Sequence, residues 1–435
     1  MNIKPTDVQV NASFKYLLAS RVLRSVALSF VTLSLPLYLV FMLHQNLISI
    51  GLIYFGIILF TSVTSFLFGV ASDSIGYART ILIGEILPLI GLGGLVLSTF
   101  TIGTSMSAEL IVLSAMLAGV SGVGGMRGSF SSGQMALIAN NWKNGKDRVN
   151  RMARIITAAS IASIIGGFML VLQGMLTGTL QSGFGALVAS TISYRYFFII
   201  STVLIGLSMF CLFFVKEAWR TRKKKVSMKR ESISYTLRVM SSQMLAGIGL
   251  GLALPILPAL VAESFALSAS AASQYIGYVF GIGYILIAIS SFYVSKAINK
   301  QSINILKVAT IARLSQGVLL VVMALVIAFL SSSATIGLIA LGAVYVIYSS
   351  LIGVGAPMSQ AINVGGIHAN DYGTASAAMG ASIQLPQASS GAAGFLTEAI
   401  SSFISLPLAI GGVFVMASGV VYWKFLKNKQ KKSPK

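Results

Sequence analysis

The sequence predicts an all-α polytopic membrane protein with twelve transmembrane helices in two pseudo-symmetric six-helix bundles. Three observations carry this. The 435-residue chain is 56% hydrophobic and 9% charged, with mean hydropathy +0.87, too little charge to cover a soluble protein of that length. Twelve stretches approach the ~20 mainly apolar residues that a helix needs to cross a bilayer. Threaded through a membrane, they leave nearly every Lys and Arg on one side.

The spans fall near 17–43, 48–71, 79–99, 109–138, 152–176, 193–215, 239–262, 272–294, 306–330, 335–360, 374–397 and 402–424. The first follows a polar start and is too long for the core of a cleavable leader. Six spans precede the longest loop, 216–238, in which nine of 23 residues are Lys or Arg. The expected organisation is a first bundle over 1–215, a basic cytoplasmic linker over 216–238, a second bundle over 239–424, and a basic tail over 425–435.

A net charge of +21 invites a nucleic-acid reading, but its distribution excludes it. Of 31 Lys and Arg, only Arg195 falls in an outer loop and only Arg127 sits deep in a span. The rest obey the positive-inside bias, which places both termini in the cytoplasm of a cell membrane. Anionic lipids are the implied partner. Trp142, Trp219 and Trp423 fall at inner span ends, where an indole sits between lipid and headgroups. Cys211 is alone, so no internal disulfide forms. The only histidines are His44 and His368, one at the outer edge and one in an inner loop. No metal-ligand spacing, cofactor motif or catalytic grouping is present, so an enzyme is not expected.

The halves are related. Gly122 and Gly124 of span 4 correspond to Gly353 and Gly355 of span 10. Arg79 and Glu85 of span 3 correspond to Lys307 and Arg313 of span 9. Duplicated halves around a midplane site are characteristic of secondary transporters. Small residues at Ala159, Ser163 and Gly167 of span 5, and at Ser390 and Gly394 of span 11, suit close helix contact. Pro255 and Pro258 in span 7, and Pro386 in span 11, remove backbone donors and favour kinks.

The most specific motif lies between spans 2 and 3, in the segment from Gly69 to Arg79. Gly69 permits tight packing, Asp73 is an acid in a basic loop, Gly76 permits a positive φ, and Arg79 opens span 3. This segment resembles the loop signature of the major facilitator superfamily, G-x-x-x-D-[RK]-x-G-[RK]-[RK]. Gly69, Asp73 and Gly76 match; Ser74 departs from the expected base, and the basic cluster is displaced to Arg79. With twelve spans and a central basic loop, the resemblance covers essentially the whole chain. It implies alternating access between two bundles. It also implies that Asp73 latches an inner gate, engaging the start of span 11 near Gly373, where a helix N-terminus attracts a carboxylate.

Arg127 is the sharpest residue inside the membrane, and an intramembrane Arg is a functional candidate by default. The resemblance places span 4 on the central cavity, where Arg127 would bind an anionic substrate or act on a nearby acid. Glu85, the one acid well inside a span, is either a proton site or half of a structural ion pair with Arg24, Arg154 or Arg127. Asp147 and Arg151 at the turn between spans 4 and 5 stand at i,i+4 and are gate candidates. Gln360, Asn363, Gln384 and Gln387 either hydrogen-bond a solute or join two helices.

The functional expectation is a monomeric secondary transporter for a small solute. Proton-coupled efflux of drugs or metabolites is the first form. Uptake of an organic anion through Arg127 is the second, and a solute sensor without transport is the third. The Gly-Pro element often found in span 5 of drug antiporters is missing around Ser163 and Gly167, and titratable acids in the spans are scarce.

Overall fold

A computed structural model describes residues 6–104, 106–120, 129–142, 145–218, 230–300, 304–365, 367, 372–399 and 403–430. The described residues are almost wholly helical, with no strand among them. Spans 1 and 2 are α1 (Asp7–Leu43) and α2 (Leu47–Ile75). Span 3 is split into α3 (Tyr77–Gly84) and α4 (Ile86–Ser98), and α5 (Ser107–Ala118) and α6 (Ser129–Asn141) belong to span 4. Spans 5 and 6 are α7 (Gly145–Phe184) and α8 (Ala186–Leu212). Span 7 is split into α9 (Arg230–Ala253) and α10 (Leu257–Ser264). Spans 8 to 10 are α11 (Ala269–Lys300), α12 (Ile305–Leu330) and α13 (Ala334–Gly365). Span 11 is α14 (Tyr372–Gln384), a 3-10 turn (Leu385–Ser389) and α15 (Ser390–Ala399); span 12 is α16 (Leu406–Gln430).

Among the described residues, ten spans are long and apolar enough to cross a bilayer by length and composition. The other two positions, spans 4 and 11, are held by interrupted helices. An even number of crossings brings both ends of the chain to one face, called here the terminal face.

Local chemistry sets the helix ends. Thr6 and Gln9 form a capping box at the start of α1, satisfying two otherwise unpaired donors. Asn46 and Asn304 cap α2 and α12 by accepting from Ser49 N and Lys307 N at 2.9 and 3.0 Å. Two connections are shorter than the sequence suggests. Only Gly76 (φ 113°) separates α2 from α3, and only Gly185 (φ 77°) separates α7 from α8. Both need a left-handed backbone that glycine supplies without strain.

Two corrections follow. Arg195 lies within α8, not in a loop. Its Nε donates to Thr99 Oγ1 (3.0 Å) and its Nη2 to Thr99 O (3.1 Å), so a cation caps the C-terminus of α4. Trp142 is buried rather than placed among headgroups. It packs edge-on to Phe14 and donates to Asn11 Oδ1 at 2.7 Å.

The first and last six spans meet along two glycine-lined seams, α7 against α11 and α2 against α15. A methyl on Gly167 would stand 2.9 Å from Gly281 Cα, and one on Gly51 would stand 2.6 Å from Ser390 O. Gly394 lies directly on the backbone of Leu47 and Ile48. Ser270 Oγ donates to Gly174 O (2.8 Å), adding a polar tie across the first seam. The small residues at Gly167, Ser390 and Gly394 thus serve the close contact expected of them. These contacts lie toward the face opposite the termini, and α14 continues the second seam against α2 and α6 on the terminal side.

Candidate functional site

The two proline-broken helices lie side by side. Pro255 leaves Gly251 O without its helical donor, and Pro386 opens the 3-10 turn of span 11. Gly247 packs on Ile383 O and Pro386, and Gly251 packs on Gln387 and Ser389. Ser389 Oγ donates to Ile248 O at 2.9 Å, tying one break to the other helix. Discontinuous helices at membrane depth are where transporter backbones reach solutes and ions.

Uncharged polar side chains collect there. Gln384 ends α14 and is buried, and its Oε1 accepts no hydrogen bond from another described residue. Gln387 in the adjoining turn is also buried. Gly380, one turn before Gln384, faces open space, with nothing within 4 Å of where a Cβ would lie. The register that sets Gly247 on Ile383 brings the buried Gln243 to the level of Gly380. From α2, which runs antiparallel to span 11, the contact of Phe55 with Gly391 sets the buried Tyr54 near the level of Gly391, about one turn beyond Gln387. The Tyr54 hydroxyl has no hydrogen-bond partner among the described residues. Orphaned buried polar atoms beside open space call for water or a ligand. Gln243, Ser389 and Tyr54 escaped the sequence reading; a long polar side chain one turn before a helix-packing glycine was the signal for Gln243.

Gln360 and Asn363 lie on the last turns of α13, which runs through Pro357 without breaking, but their side chains fall outside the described residues. Arg127 falls outside them altogether.

Glu85 resolves differently. It sits at the junction of α3 and α4 and forms an ion pair with Arg24 of α1. Glu85, Arg24 and the nearby Arg21 are all buried. Glu85 is the only buried carboxylate among the described residues. A guanidinium in direct contact neutralises it where water cannot. The related helices of the second half show a matching arrangement. Ser20 of α1 meets Ser208 of α8 (2.9 Å), while Ser242 Oγ of α9 donates to Ser418 O of α16 (2.9 Å). Arg313 of α12, the counterpart of Glu85, donates from Nη1 to both Ser242 Oγ (2.7 Å) and Ser418 Oγ (3.0 Å).

At the terminal face, Gly69 and Asp73 lie in the last turns of α2 rather than in a loop. Only the backbone of Asp73 is described. Gly76 N–H donates to Ser72 O (3.1 Å), and Thr80 Oγ1 donates to Gly76 O (2.7 Å). Arg79 is exposed. Glu217 Oε2 accepts from Ala78 N (3.1 Å), so a carboxylate occupies the N-terminus of α3. Asn140 and Asn141 pin residues 216–218 to the end of α6. Arg151 donates to Asn11 Oδ1 (3.0 Å) and stacks 4.2 Å over the Trp142 ring, so Asn11 rather than Asp147 receives its hydrogen bond. No three His, Cys, Asp or Glu side chains among the described residues converge as metal ligands would.

The family model described as the Major Facilitator Superfamily matches residues 17–391. The chain belongs to that superfamily. Its members are transporters, not enzymes. No curated protein sequence matches the chain. Similar solved structures share the superfamily fold at low identity. The fucose:proton symporter FucP of E. coli has 16% identity and TM-score 0.62, over 95% of this chain and 98% of that one. The human organic anion transporter TETRAN has 15% identity and TM-score 0.63, over 96% and 100%. The nucleoside transporter NupG has 13% identity and TM-score 0.62, over 95% and 99%. This superfamily protein is therefore a multi-pass secondary transporter.

Proposed function

We propose that the chain carries a small hydrogen-bonding solute by alternating access, bound where the breaks in spans 7 and 11 meet. Gln384 and Gln387 contact the solute from span 11, with Gln243 and Tyr54 beside them. Arg127, Gln360 and Asn363 complete the site from spans 4 and 10. The observation that carries this reading is the buried, unpartnered Gln384 Oε1 beside the open space at Gly380. Gln384, Gln387, Gln243 and Tyr54 are uncharged, so affinity at the breaks comes from hydrogen bonds rather than from charge.

The moving parts are the bundles 1–215 and 239–424, joined by the linker 216–238. The protein works as a monomer in the cell membrane with the terminal face cytoplasmic and anionic lipids against its basic rim. On that face Gly69, Asp73, Gly76, Arg79, Asp147 and Arg151 form the gate. Proton-coupled efflux through Glu85 is disfavoured by its ion pair with Arg24. Uptake of an organic anion is the second reading, resting on Arg127, and a sensor without transport is the third.

A thermal-stability screen of neutral and anionic solutes on the purified protein tests the site. A stabilising solute should lose its effect in Gln384→Ala and enter liposomes containing the wild type. Equal stabilisation of Gln384→Ala removes span 11 from the site. Binding without uptake makes the protein a sensor.

A further inference from the structure

Arg313 has a chemistry that the transport cycle does not use. It stands eight positions after Ile305, about 12 Å along α12 from the terminal face. It is 8% exposed, and one nitrogen, Nη1, makes both of its hydrogen bonds, to Ser242 and Ser418. The guanidinium lies 4.4 Å over the Tyr422 ring. Serine hydroxyls and an aromatic face solvate a cation without neutralising it. In the first half the equivalent charge cluster carries its own counter-charge, Glu85 against Arg24. No carboxylate among the described residues pairs with Arg313. An uncompensated buried charge is costly, and inside a membrane it marks function.

The surroundings supply a second observation. Thr310, one turn before Arg313 toward the terminal face, is buried, and its hydroxyl has no partner among the described residues. The Tyr422 hydroxyl neighbours that of Ser359 but is not within bonding distance of it. The three helices that converge on Arg313 each carry an exposed cation nearer the terminal face: Arg238 on α9, Lys307 on α12 and Lys424 on α16. Exposed bases on all three helices thus lie between the terminal face and an inner guanidinium flanked by the Thr310 and Tyr422 hydroxyls.

We propose that Arg313, with Thr310 and Tyr422, binds a phosphate oxyanion between α9, α12 and α16, admitted past Arg238, Lys307 and Lys424. Nε and Nη2 of Arg313 make no hydrogen bond to another described residue, so the guanidinium keeps donors for a phosphate oxygen. The phosphate belongs either to an anionic lipid headgroup or to a free small anion. Binding here is independent of whether a solute is carried at the breaks in spans 7 and 11.

The test uses the full chain purified in neutral detergent. Its thermal midpoint is followed against added phosphatidylglycerol, phosphatidylcholine and inorganic phosphate. Wild type should be stabilised by phosphatidylglycerol or by inorganic phosphate. Arg313→Gln should raise the half-saturating concentration about tenfold or more, as expected for loss of a charge-assisted contact. Arg313→Lys should bind in between. Lys15→Gln, which removes an exposed cation from the first half, should bind as wild type. Stabilisation by phosphatidylglycerol alone assigns a lipid, and stabilisation by inorganic phosphate assigns a free anion. If Arg313→Gln does not fold, the double variant Arg238→Gln with Lys424→Gln must weaken binding instead. Equal half-saturation in wild type and the variants, or no effect of either anion on wild type, overturns the proposal.

Discussion

Replacing Glu85 by Leu should destabilise the protein by about 3–5 kcal/mol, the usual cost of stranding one member of a buried ion pair. The magnitude follows from the cluster's charge. Arg21, Arg24 and Glu85 are all buried, and together they carry +1. Glu85→Leu raises this to +2, with no other buried carboxylate among the described residues to offset it. The double variant Arg24→Met with Glu85→Leu returns the cluster to +1 and fills the space with apolar groups. It should recover most of the loss, to within about 1–2 kcal/mol of wild type, because well-packed apolar residues replace buried pairs at little cost. The coupling is read as a double-mutant cycle from unfolding in detergent, with Arg24→Met as the fourth corner. Wild-type stability in Glu85→Leu, or a double variant no more stable than Glu85→Leu, would refute the pairing argument.

Asp73→Asn should slow solute turnover severalfold while leaving solute affinity nearly intact; wild-type rates return Asp73 to an ordinary position in the last turn of α2. Arg127→Ala should abolish binding of an anionic solute and Arg127→Lys should weaken it, since a point charge loses the fork geometry. Normal affinity with lost stability in both would make Arg127 structural instead. Gly394→Val should cut transport at least tenfold, because its branched side chain meets the backbone of Leu47 and Ile48 directly. Normal transport in that variant would show that the α2–α15 seam opens without close contact.

Much of the fold was legible because membrane crossing needs long apolar runs, and those runs recur as the long apolar helices. Pro255, Pro258 and Pro386 announced the breaks in spans 7 and 11, since each removes a helical donor, although α1 and α13 run through Pro36 and Pro357 unbroken. The break at Glu85 lies three residues before Pro88, which leaves Gly84 O without its helical donor; what was not legible is the pairing of Glu85 with Arg24, 61 positions away. Sequence alone left three arginines as partners for Glu85, and depth along a helix does not say which faces which. The positive φ at Gly76 was legible, whereas the single-residue turn at Gly185 was missed because polar stretches such as 177–182 read as loops while packing keeps them helical. Gln384 and Gln387 were found as polar residues in an apolar span. Tyr54 and Gln243 became visible only through the contacts of Phe55 and Gly247, which set the helix registers.

The most direct test of alternating access is to tie the seam shut. A Cβ on Gly178 of α7 would stand 3.2 Å from Ser270 Oγ of α11, within reach of a disulfide between cysteines at the two positions. In a Cys211→Ala background, Gly178→Cys with Ser270→Cys should transport the stabilising solute when reduced. Oxidation should stop uptake into liposomes, and reductant should restore it. Full-rate uptake with the cross-link formed would contradict the account, because the seam would then never need to open.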